Sequence, residues 1–171
     1  STRHTVGFEV ILHFADRLGT SAPTKKQYGA LVGSHTFEGE KVLFALPQTF
    51  MNLSGQPVAS LMGYYKCTSK DVIVLHDELA LDFDTVRCKR SGGHGGHNGL
   101  RDIIKHIGND FVRVRMGIGS PHGDQADYVL SRFNSQEQPS LESFVARGCD
   151  AIAHILSSGI NSAMNTFNVR T

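Results

Sequence analysis

Histidine and carboxylate side chains occupy two positions in the chain where they could carry acid–base chemistry. His4 comes just before the first predicted helix, where the positive end of the helix dipole favours a neutral, proton-accepting imidazole. His76-Asp77-Glu78 follows Asp71–Leu75, a short apolar run typical of buried strands. Ligands of α/β sheets bind at the carboxyl ends of strands, and a carboxylate there can orient an imidazole. Taken alone, each segment also fits an ordinary surface loop.

A second group of candidate residues lies in two loops rich in glycine and amide groups. Ser91–Gly99 has five glycines in nine residues and leads into a predicted helix, an arrangement that suits an anion or a polar carbonyl. The alternatives are a flexible loop with Asn98 as helix N-cap, or a metal site using His94 and His97. Pro47–Gly55 is rich in hydrogen-bonding groups, but its serine lies outside a GxSxG pattern and does not indicate a nucleophile.

Charge is distributed unevenly along the chain. Seventeen basic and sixteen acidic residues give a net charge of +1, so no overall field draws the protein to nucleic acid or membrane. Between Thr85 and Arg115, however, seven basic residues face two acidic ones, which leaves −4 for the rest. The seven are Arg87, Lys89, Arg90, Arg101, Lys105, Arg113 and Arg115. Arg101 and Lys105 share one helix face, which indicates a phosphate-binding surface or, alternatively, a solvated basic face.

Helices and buried strands alternate along the chain. The helical pattern covers Val6–Leu18, Ser54–Tyr65, Asn98–Ile107 and a long segment from Leu141 to Leu156. Strands are predicted at Tyr28–Val32, Val42–Leu46, Asp71–Leu75, Thr85–Lys89 and, half-exposed, at Val112–Ile118. With 171 residues, 40% of them hydrophobic, the chain fits one domain. We predict an α/β fold, a three-layer sandwich of helices around a mixed, largely parallel sheet.

Cysteine usage and hydropathy exclude several classes of protein. Cys67, Cys88 and Cys149 are far apart and form no CxxC pair, so neither a disulfide framework nor a thiolate zinc site is expected. No apolar run approaches the length of about eighteen residues needed for a membrane span, and no signal peptide opens the chain. These features predict a protein that does not bind a membrane and that is cytoplasmic or, after loss of a transit segment, in an organelle matrix.

Four segments taken together resemble bacterial-type peptidyl-tRNA hydrolases. They are Thr2-Arg3-His4, Gln48–Gly55, His76–Leu79 and Gly92–Leu100, and they occur in the family's order and spacing. Arg113–Gly119 and Tyr128–Phe133 extend the likeness to about residue 133. The resemblance implies a monomeric enzyme that uses no metal or other cofactor. It would cleave the ester between peptide and tRNA in peptidyl-tRNA released from stalled ribosomes, and so recycle free tRNA.

The resemblance also implies which residues carry the reaction. His4 would be the general base that activates water, and Asp77 the carboxylate that pairs with it. Asn52 would stabilise the developing oxyanion and hold the peptide backbone, while Asn98 would help to position water and substrate. A base and an oxyanion donor suffice for an activated ester, and each well-placed donor contributes roughly 3–4 kcal/mol in the transition state.

Substrate-binding roles follow from the same correspondence. Phe50 and Met51 would line the channel for the peptide, and His97 would line the side that receives the tRNA 3′ end. Arg115 corresponds to a basic residue that grips a tRNA phosphate. The two basic residues on the predicted helix, Arg101 and Lys105, would contribute to the same tRNA surface.

The family pattern begins with a strand and a Gly-Asn-Pro-Gly loop that do not precede Thr2 in this sequence. We therefore expect one hydrolase-like domain over residues 1–171 that lacks those two features. Two other functions remain open. One is a non-catalytic RNA-binding module on the same fold, like the hydrolase-like factors recruited to intron splicing. The other is a metal-dependent hydrolase using His76, His94 and His97, although their spacing is poor for metal ligands.

Overall fold

The computed structural model describes residues 2–169, which contain six α-helices and six β-strands. The helices are α1 (Val6–Arg17), α2 (Gly55–Tyr65), α3 (Asn98–Ile107), α4 (Gln125–Leu130), α5 (Leu141–Ser158) and α6 (Ile160–Phe167). The strands are β1 (Lys25–Gln27), β2 (Ala30–Phe37), β3 (Glu40–Pro47), β4 (Ile73–Glu78), β5 (Val86–Lys89) and β6 (Val112–Gly117). Among residues 2–169, no helix is both long enough and apolar enough to cross a membrane.

The chain divides into two compact units. Unit 1 consists of Ser1–Phe14, Val74–Lys89 and Arg113–Thr171, and unit 2 consists of Ala15–Ile73 and Arg90–Val112. The strands are arranged in two three-stranded sheets, in the orders β1-β2-β3 and β4-β6-β5.

Two tight hairpins build the β1-β2-β3 sheet of unit 2. Tyr28-Gly29 and Glu38-Gly39 both have positive φ at each residue, the backbone of a type I′ turn. Because such two-residue turns reverse the chain, β1, β2 and β3 pair in antiparallel order. One sheet face packs on α2, through a cluster whose members are apolar or aromatic: Ala30, Val32, Leu43, Ala45, Leu61 and Tyr65.

The β4-β6-β5 sheet of unit 1 places β6 at its centre. Arg113 is 2% exposed, and Val114 and Met116 are fully buried. The prediction of a half-exposed β6 is therefore wrong, because neighbouring strands flank it and both of its faces are covered. A Cβ on Gly148 of α5 would lie within 3.0 Å of the side chains of Val10 and Met116. Helix, strand and the start of α1 thus meet at a glycine that permits close approach.

The α/β class predicted from the sequence is confirmed, and the bounds of α3 agree with the prediction. The sheet arrangement differs from the single, largely parallel sheet that was expected. The described strands form two sheets, and the pairings β1–β2, β2–β3 and β5–β6 are antiparallel. Short connections account for the first two of these pairings, since parallel strands need a crossover of a dozen or more residues.

Candidate active site and substrate-binding residues

A histidine–carboxylate pair lies in unit 1, as the sequence predicted from His4 and Asp77. His4 sits in a 3₁₀ turn, Arg3–Thr5, that leads directly into α1, and Asp77 lies near the end of β4. The His4 Nδ1 atom is 2.9 Å from Asp77 Oδ2. The turn is closed by Thr2, whose backbone N–H donates to Thr5 Oγ1 at 3.1 Å. The 3₁₀ turn that contains His4 is therefore stabilised by a local hydrogen bond.

The surroundings of this pair raise the pKa of the imidazole. The hydrogen bond that His4 donates to the Asp77 carboxylate is the largest cause and raises the pKa of His4 above its usual value, burial opposes the shift, and the charge of Asp77 adds to it. The His4 side chain is 20% exposed and that of Asp77 is 5% exposed. With Nδ1–H donating to the carboxylate, Nε2 is the nitrogen able to accept a proton. Such an imidazole is suited to general-base catalysis near neutral pH.

A glycine that the sequence analysis did not single out brings these two side chains together. A Cβ on Gly7 would lie 2.4 Å from the backbone oxygen of Leu75. The first turn of α1 therefore lies directly against β4, two residues before Asp77. Any larger side chain at this position would push the turn that carries His4 away from the strand that carries Asp77. The signal in the sequence that could have indicated this close approach is the position of Gly7, three residues after His4.

Arg115, predicted to grip a phosphate, is paired within unit 1. Its Nε donates to Glu78 Oε1 at 3.0 Å, and both side chains are half-buried. The contact engages only Nε, and the terminal amino groups of the guanidinium are the ones suited to a bidentate contact with an anion. Glu78 thus orients Arg115 through one nitrogen.

Unit 2 contains the second group of predicted residues. Asn52 lies in the 3₁₀ turn Met51–Leu53 before α2, and Asn98 is the first residue of α3. Together with residues of α3 they line an open pocket of about 350 Å³. Its lining combines two amides, two cations and one carboxylate: Asn52, Asn98, Arg101, Lys105 and Asp102. This combination suits a ligand that carries carbonyl and phosphate oxygens.

Asp102, which sequence analysis counted only as an opposing charge, joins the two elements of this pocket. Its carboxylate accepts a hydrogen bond from the backbone N–H of Gly55 at 2.7 Å. A Cβ on Gly55 would lie 2.3 Å from the Asp102 backbone oxygen, so the start of α2 contacts α3 closely. Asp102 thereby fixes the turn that carries Asn52 relative to α3. The pairing is long-range, and no local pattern in the sequence marks it.

The alternative that Asn98 caps α3 is wrong. The N-cap is His97, whose Nδ1 accepts a hydrogen bond from the backbone N–H of Leu100 at 3.2 Å. Asn98 is the first helical residue, and its exposed amide lines the pocket instead.

The residues predicted to line the peptide channel differ in exposure. Phe50 is 81% exposed, the highest value among the exposed large apolar residues. Met51 is half-buried, and its Sδ lies 2.5 Å from where a Cβ on Gly99 would stand. Both residues belong to unit 2, next to Asn52 in the chain.

The seven basic residues between Thr85 and Arg115 are not all available to bind phosphate. Arg113 is buried inside β6, and Arg87 donates to the backbone oxygen of Phe167 at 3.1 Å. Arg101 and Lys105 are exposed on α3, as predicted. The basic surface is therefore narrower than the count of charges indicated.

The metal-dependent alternative is not supported by its proposed ligands. The Nδ1 atom of each histidine is hydrogen-bonded locally: that of His76 with the Asp77 backbone oxygen at 2.9 Å, that of His94 with the Gly96 N–H at 2.9 Å, and that of His97 with the Leu100 N–H. A metal could therefore be bound by these rings only through Nε2. Within residues 2–169, neither His76 nor His94 belongs to a cluster of three potential metal ligands.

An α/β protein with a largely buried histidine–carboxylate pair and a polar, basic pocket has the features of a hydrolytic enzyme acting on an anionic substrate. The sequence model of the family described as peptidyl-tRNA hydrolase matches residues 1–171. The chain belongs to the peptidyl-tRNA hydrolase family. This confirms the resemblance and the prediction of an enzyme, and gives no support to a non-catalytic RNA-binding module.

Individual relatives agree with this assignment. The peptidyl-tRNA hydrolase of Lachnoclostridium phytofermentans is 42% identical over 171 residues, covering 98% of this chain and 89% of the relative. That of Syntrophotalea carbinolica is 43% identical, covering 99% and 90%. The crystal structure of peptidyl-tRNA hydrolase from Acinetobacter baumannii superposes with a TM-score of 0.91 at 34% identity, covering 99% of this chain and 88% of that one.

Proposed function

We propose that this protein hydrolyses the ester bond between the peptide and the 3′ ribose of tRNA in peptidyl-tRNA, with His4 as the general base. The observation that carries the proposal is the 2.9 Å contact between His4 Nδ1 and Asp77 Oδ2, at the positions where the family motifs stand. With Nδ1–H donating to the Asp77 carboxylate, the neutral ring carries its proton-accepting lone pair on Nε2, and the proposal assigns the proton of water to that nitrogen.

The reaction needs two proton transfers and no covalent intermediate with the protein. Water attacks the ester carbonyl while His4 Nε2 removes its proton, and the carbonyl oxygen becomes an oxyanion. The intermediate then collapses, the bond between carbonyl carbon and ribose 3′ oxygen breaks, and the imidazolium returns the proton to that oxygen. Asp77 stabilises the imidazolium between these steps and holds the ring's orientation.

The amides and cations are assigned by their chemistry and by the family correspondence. Asn52 donates an uncharged hydrogen bond to the oxyanion and holds the peptide backbone, and Asn98 positions water and substrate. Phe50 and Met51 contact the peptide, and His97 lines the side that receives the tRNA 3′ end. The tRNA phosphates are bound by three basic residues: Arg101, Lys105 and Arg115.

In the cell we infer a cytoplasmic, monomeric enzyme that requires no metal and acts on peptidyl-tRNA released from stalled ribosomes. Its products, free tRNA and a peptide, would return to translation and degradation. We place both halves of the substrate on a single peptidyl-tRNA hydrolase-like domain over residues 1–171.

The test is a cleavage assay with purified peptidyl-tRNA, in which released tRNA is separated from the intact ester. We expect turnover by the wild-type chain, turnover about 10³-fold lower by His4→Ala, and unchanged turnover after exhaustive chelation of divalent cations. Chelation that abolished cleavage, restored by added metal, would contradict the metal-independent mechanism. Tight binding of peptidyl-tRNA by the folded wild-type chain without any cleavage would instead favour the RNA-binding module.

A further inference from the structure

Arg3, the neighbour of His4, is buried in unit 1 and makes three polar contacts with one segment of the chain. Its guanidinium donates from Nη1 to Ser131 Oγ at 3.1 Å and to the backbone oxygen of Arg132. From Nη2 it pairs with Glu137 Oε1 at 2.5 Å. Arg3 is only 4% exposed, so these contacts take place with little competition from water.

The backbone and the ring neighbours of Arg3 strengthen the same attachment. The Arg3 backbone N–H donates to the Ser131 backbone oxygen at 3.0 Å, and Thr2 forms a β-bridge with Arg132. The guanidinium carbon lies 4.4 Å from the centre of the Tyr128 ring and 5.3 Å from that of Phe133.

The segment that receives Arg3 is itself fixed within unit 1. Tyr128 donates its hydroxyl to the backbone oxygen of Ile118, at the end of β6, at 2.5 Å. The Phe133 ring lies 5.5 Å from that of Phe83, and the Glu137 carboxylate accepts the Asn134 backbone N–H at 2.8 Å. The guanidinium thus connects the turn of His4 to a segment anchored at several points.

Stability alone is a weak explanation for this arrangement. Within residues 2–169, the Arg3 Nε is buried without a hydrogen-bond partner. Replacing a buried ion pair by apolar side chains is often neutral or stabilising, so the pair is weak evidence for a role in stability alone. The position that Arg3 fixes is that of the adjacent His4.

We propose that Arg3 is a positioning residue for His4: through Ser131, Arg132 and Glu137 it holds the 3₁₀ turn at the place where the imidazole meets Asp77. The inference rests on the proposed role of His4 as the base. If the turn shifts, the Nδ1–Oδ2 distance lengthens and Nε2 turns away from its water. A displacement of about 1 Å can cost roughly 10²-fold in rate.

The experiment compares Arg3→Met with the wild type in two independent measurements. The first is kcat and KM for peptidyl-tRNA, where we expect kcat to fall about tenfold or more and KM to change less than about threefold. The second is an NMR titration of the His4 ring without substrate. A loosened Asp77 contact lowers the His4 pKa, whereas loss of a nearby positive charge alone would raise it, so the direction of change distinguishes position from charge.

Arg147→Met is the control, because Arg147 Nη2 forms another arginine–carboxylate pair of unit 1, more exposed than that of Arg3, with Asp84 Oδ1 at 2.5 Å. We expect it to leave kcat and the His4 pKa unchanged. Arg3→Lys keeps the charge and part of the attachment, and we expect smaller effects in the same direction. Glu137→Gln also keeps part of the attachment and is compared by kcat, because the loss of its negative charge would by itself lower the His4 pKa. Both variants also keep the proposal testable if Arg3→Met does not fold.

The proposal is overturned if the Arg3 variants match Arg147→Met in kcat and in the His4 pKa and Glu137→Gln matches it in kcat, or if that pKa rises in the Arg3 variants. The proposed function fails by a different result, namely near-normal turnover by His4→Ala. In that case the NMR titration still decides whether Arg3 positions the His4 ring.

Discussion

The functional side chains of the two units differ in exposure to solvent. Unit 1 holds His4 and Asp77 in a mostly buried hydrogen bond and supports His4 through the contacts of Arg3. Unit 2 presents exposed amides and cations around an open pocket, and leaves Phe50 81% exposed. Burial strengthens a hydrogen bond and shifts a pKa, whereas exposure lets a large anionic ligand bind and leave.

This difference predicts two kinds of mutational effect. Changes to the buried pair should alter the chemical step and its pH dependence, because they alter where a proton resides. Changes to the exposed cations should alter KM and its salt dependence, because counterion release governs binding to a polyanion. An exposed cation whose replacement lowered kcat, or a change to the buried pair that altered only KM, would contradict this division.

The largest effect is expected from His4→Ala. We expect kcat to fall by about 10³-fold, within the range of general-base catalysis, since the variant has no imidazole to accept the proton. The melting temperature should change by no more than a few degrees because His4 is not a core residue. His13→Ala, which removes an exposed histidine of α1, is the control and should keep full activity. Near-normal turnover of folded His4→Ala would refute the assignment.

Asp77→Asn should be less damaging than His4→Ala, by about 10²-fold in kcat, because a poorly oriented imidazole still activates some water. The hydrogen bond and charge of Asp77 raise the His4 pKa. Their loss lowers that pKa, and a base works unprotonated, so the acid limb of the kcat/KM profile should move to lower pH. If the folded Asp77 variant were the more damaged one, the two roles would be exchanged.

Features that depend on residues close together in the sequence could be predicted, and features that depend on distant residues could not. The bounds of α3 were predictable because Leu100, Ile103 and Ile107 repeat at helical spacing. The helices α4 and α6 were missed, since they have only six and eight residues and give a weak periodic signal. Arg113 was misplaced on an exposed face because alternation alone cannot show that a strand is central.

In the candidate site, too, sequence motifs identified the functional residues but not the residues that hold them in place. His4 and Asp77 were found by residue type and motif, and their contact is present. The residues that position them act over long distances in sequence: Gly7 contacts Leu75, and Arg3 reaches Glu137. In unit 2, Asp102 reaches Gly55. Such pairings depend on the packing of elements, which composition and local spacing do not encode.

The pocket of unit 2 predicts a smaller loss of turnover. Asn52→Ala and Asn98→Ala should each lower kcat by about tenfold to 10²-fold, since each removes an amide donor without changing charge. Neither should lower the melting temperature much, as both side chains are exposed. His97→Ala is the comparison, because it removes the N-cap of α3 and should cost about 1 kcal/mol of stability. A large fall in stability of Asn98→Ala, with normal turnover per folded molecule, would give Asn98 a structural role.

The smallest effects on turnover should come from the cations, which occur in both units. A peptide ester carries almost no charge, whereas tRNA carries one phosphate per nucleotide, so basic side chains serve the tRNA half. Arg101→Ala in unit 2 and Arg115→Ala in unit 1 should each raise KM for peptidyl-tRNA and reduce the slope of log KM against log salt by roughly one phosphate contact. Lys25→Ala, which removes an exposed cation of β1, is the control.

An assay with a small peptidyl ester, which lacks the tRNA body, distinguishes two roles for Arg115. Arg115 is held by Glu78, one residue after Asp77, so removing it could disturb either phosphate binding or the end of β4. If it binds phosphate, hydrolysis of a small peptidyl ester should be unchanged while KM for full peptidyl-tRNA rises. Glu78→Gln should then weaken tRNA binding in the same direction but less, because the arginine remains and only its orientation is lost. A parallel fall in hydrolysis of both substrates would instead place Arg115 in the catalytic framework of unit 1, and only Arg101 and Lys105 would remain to bind tRNA.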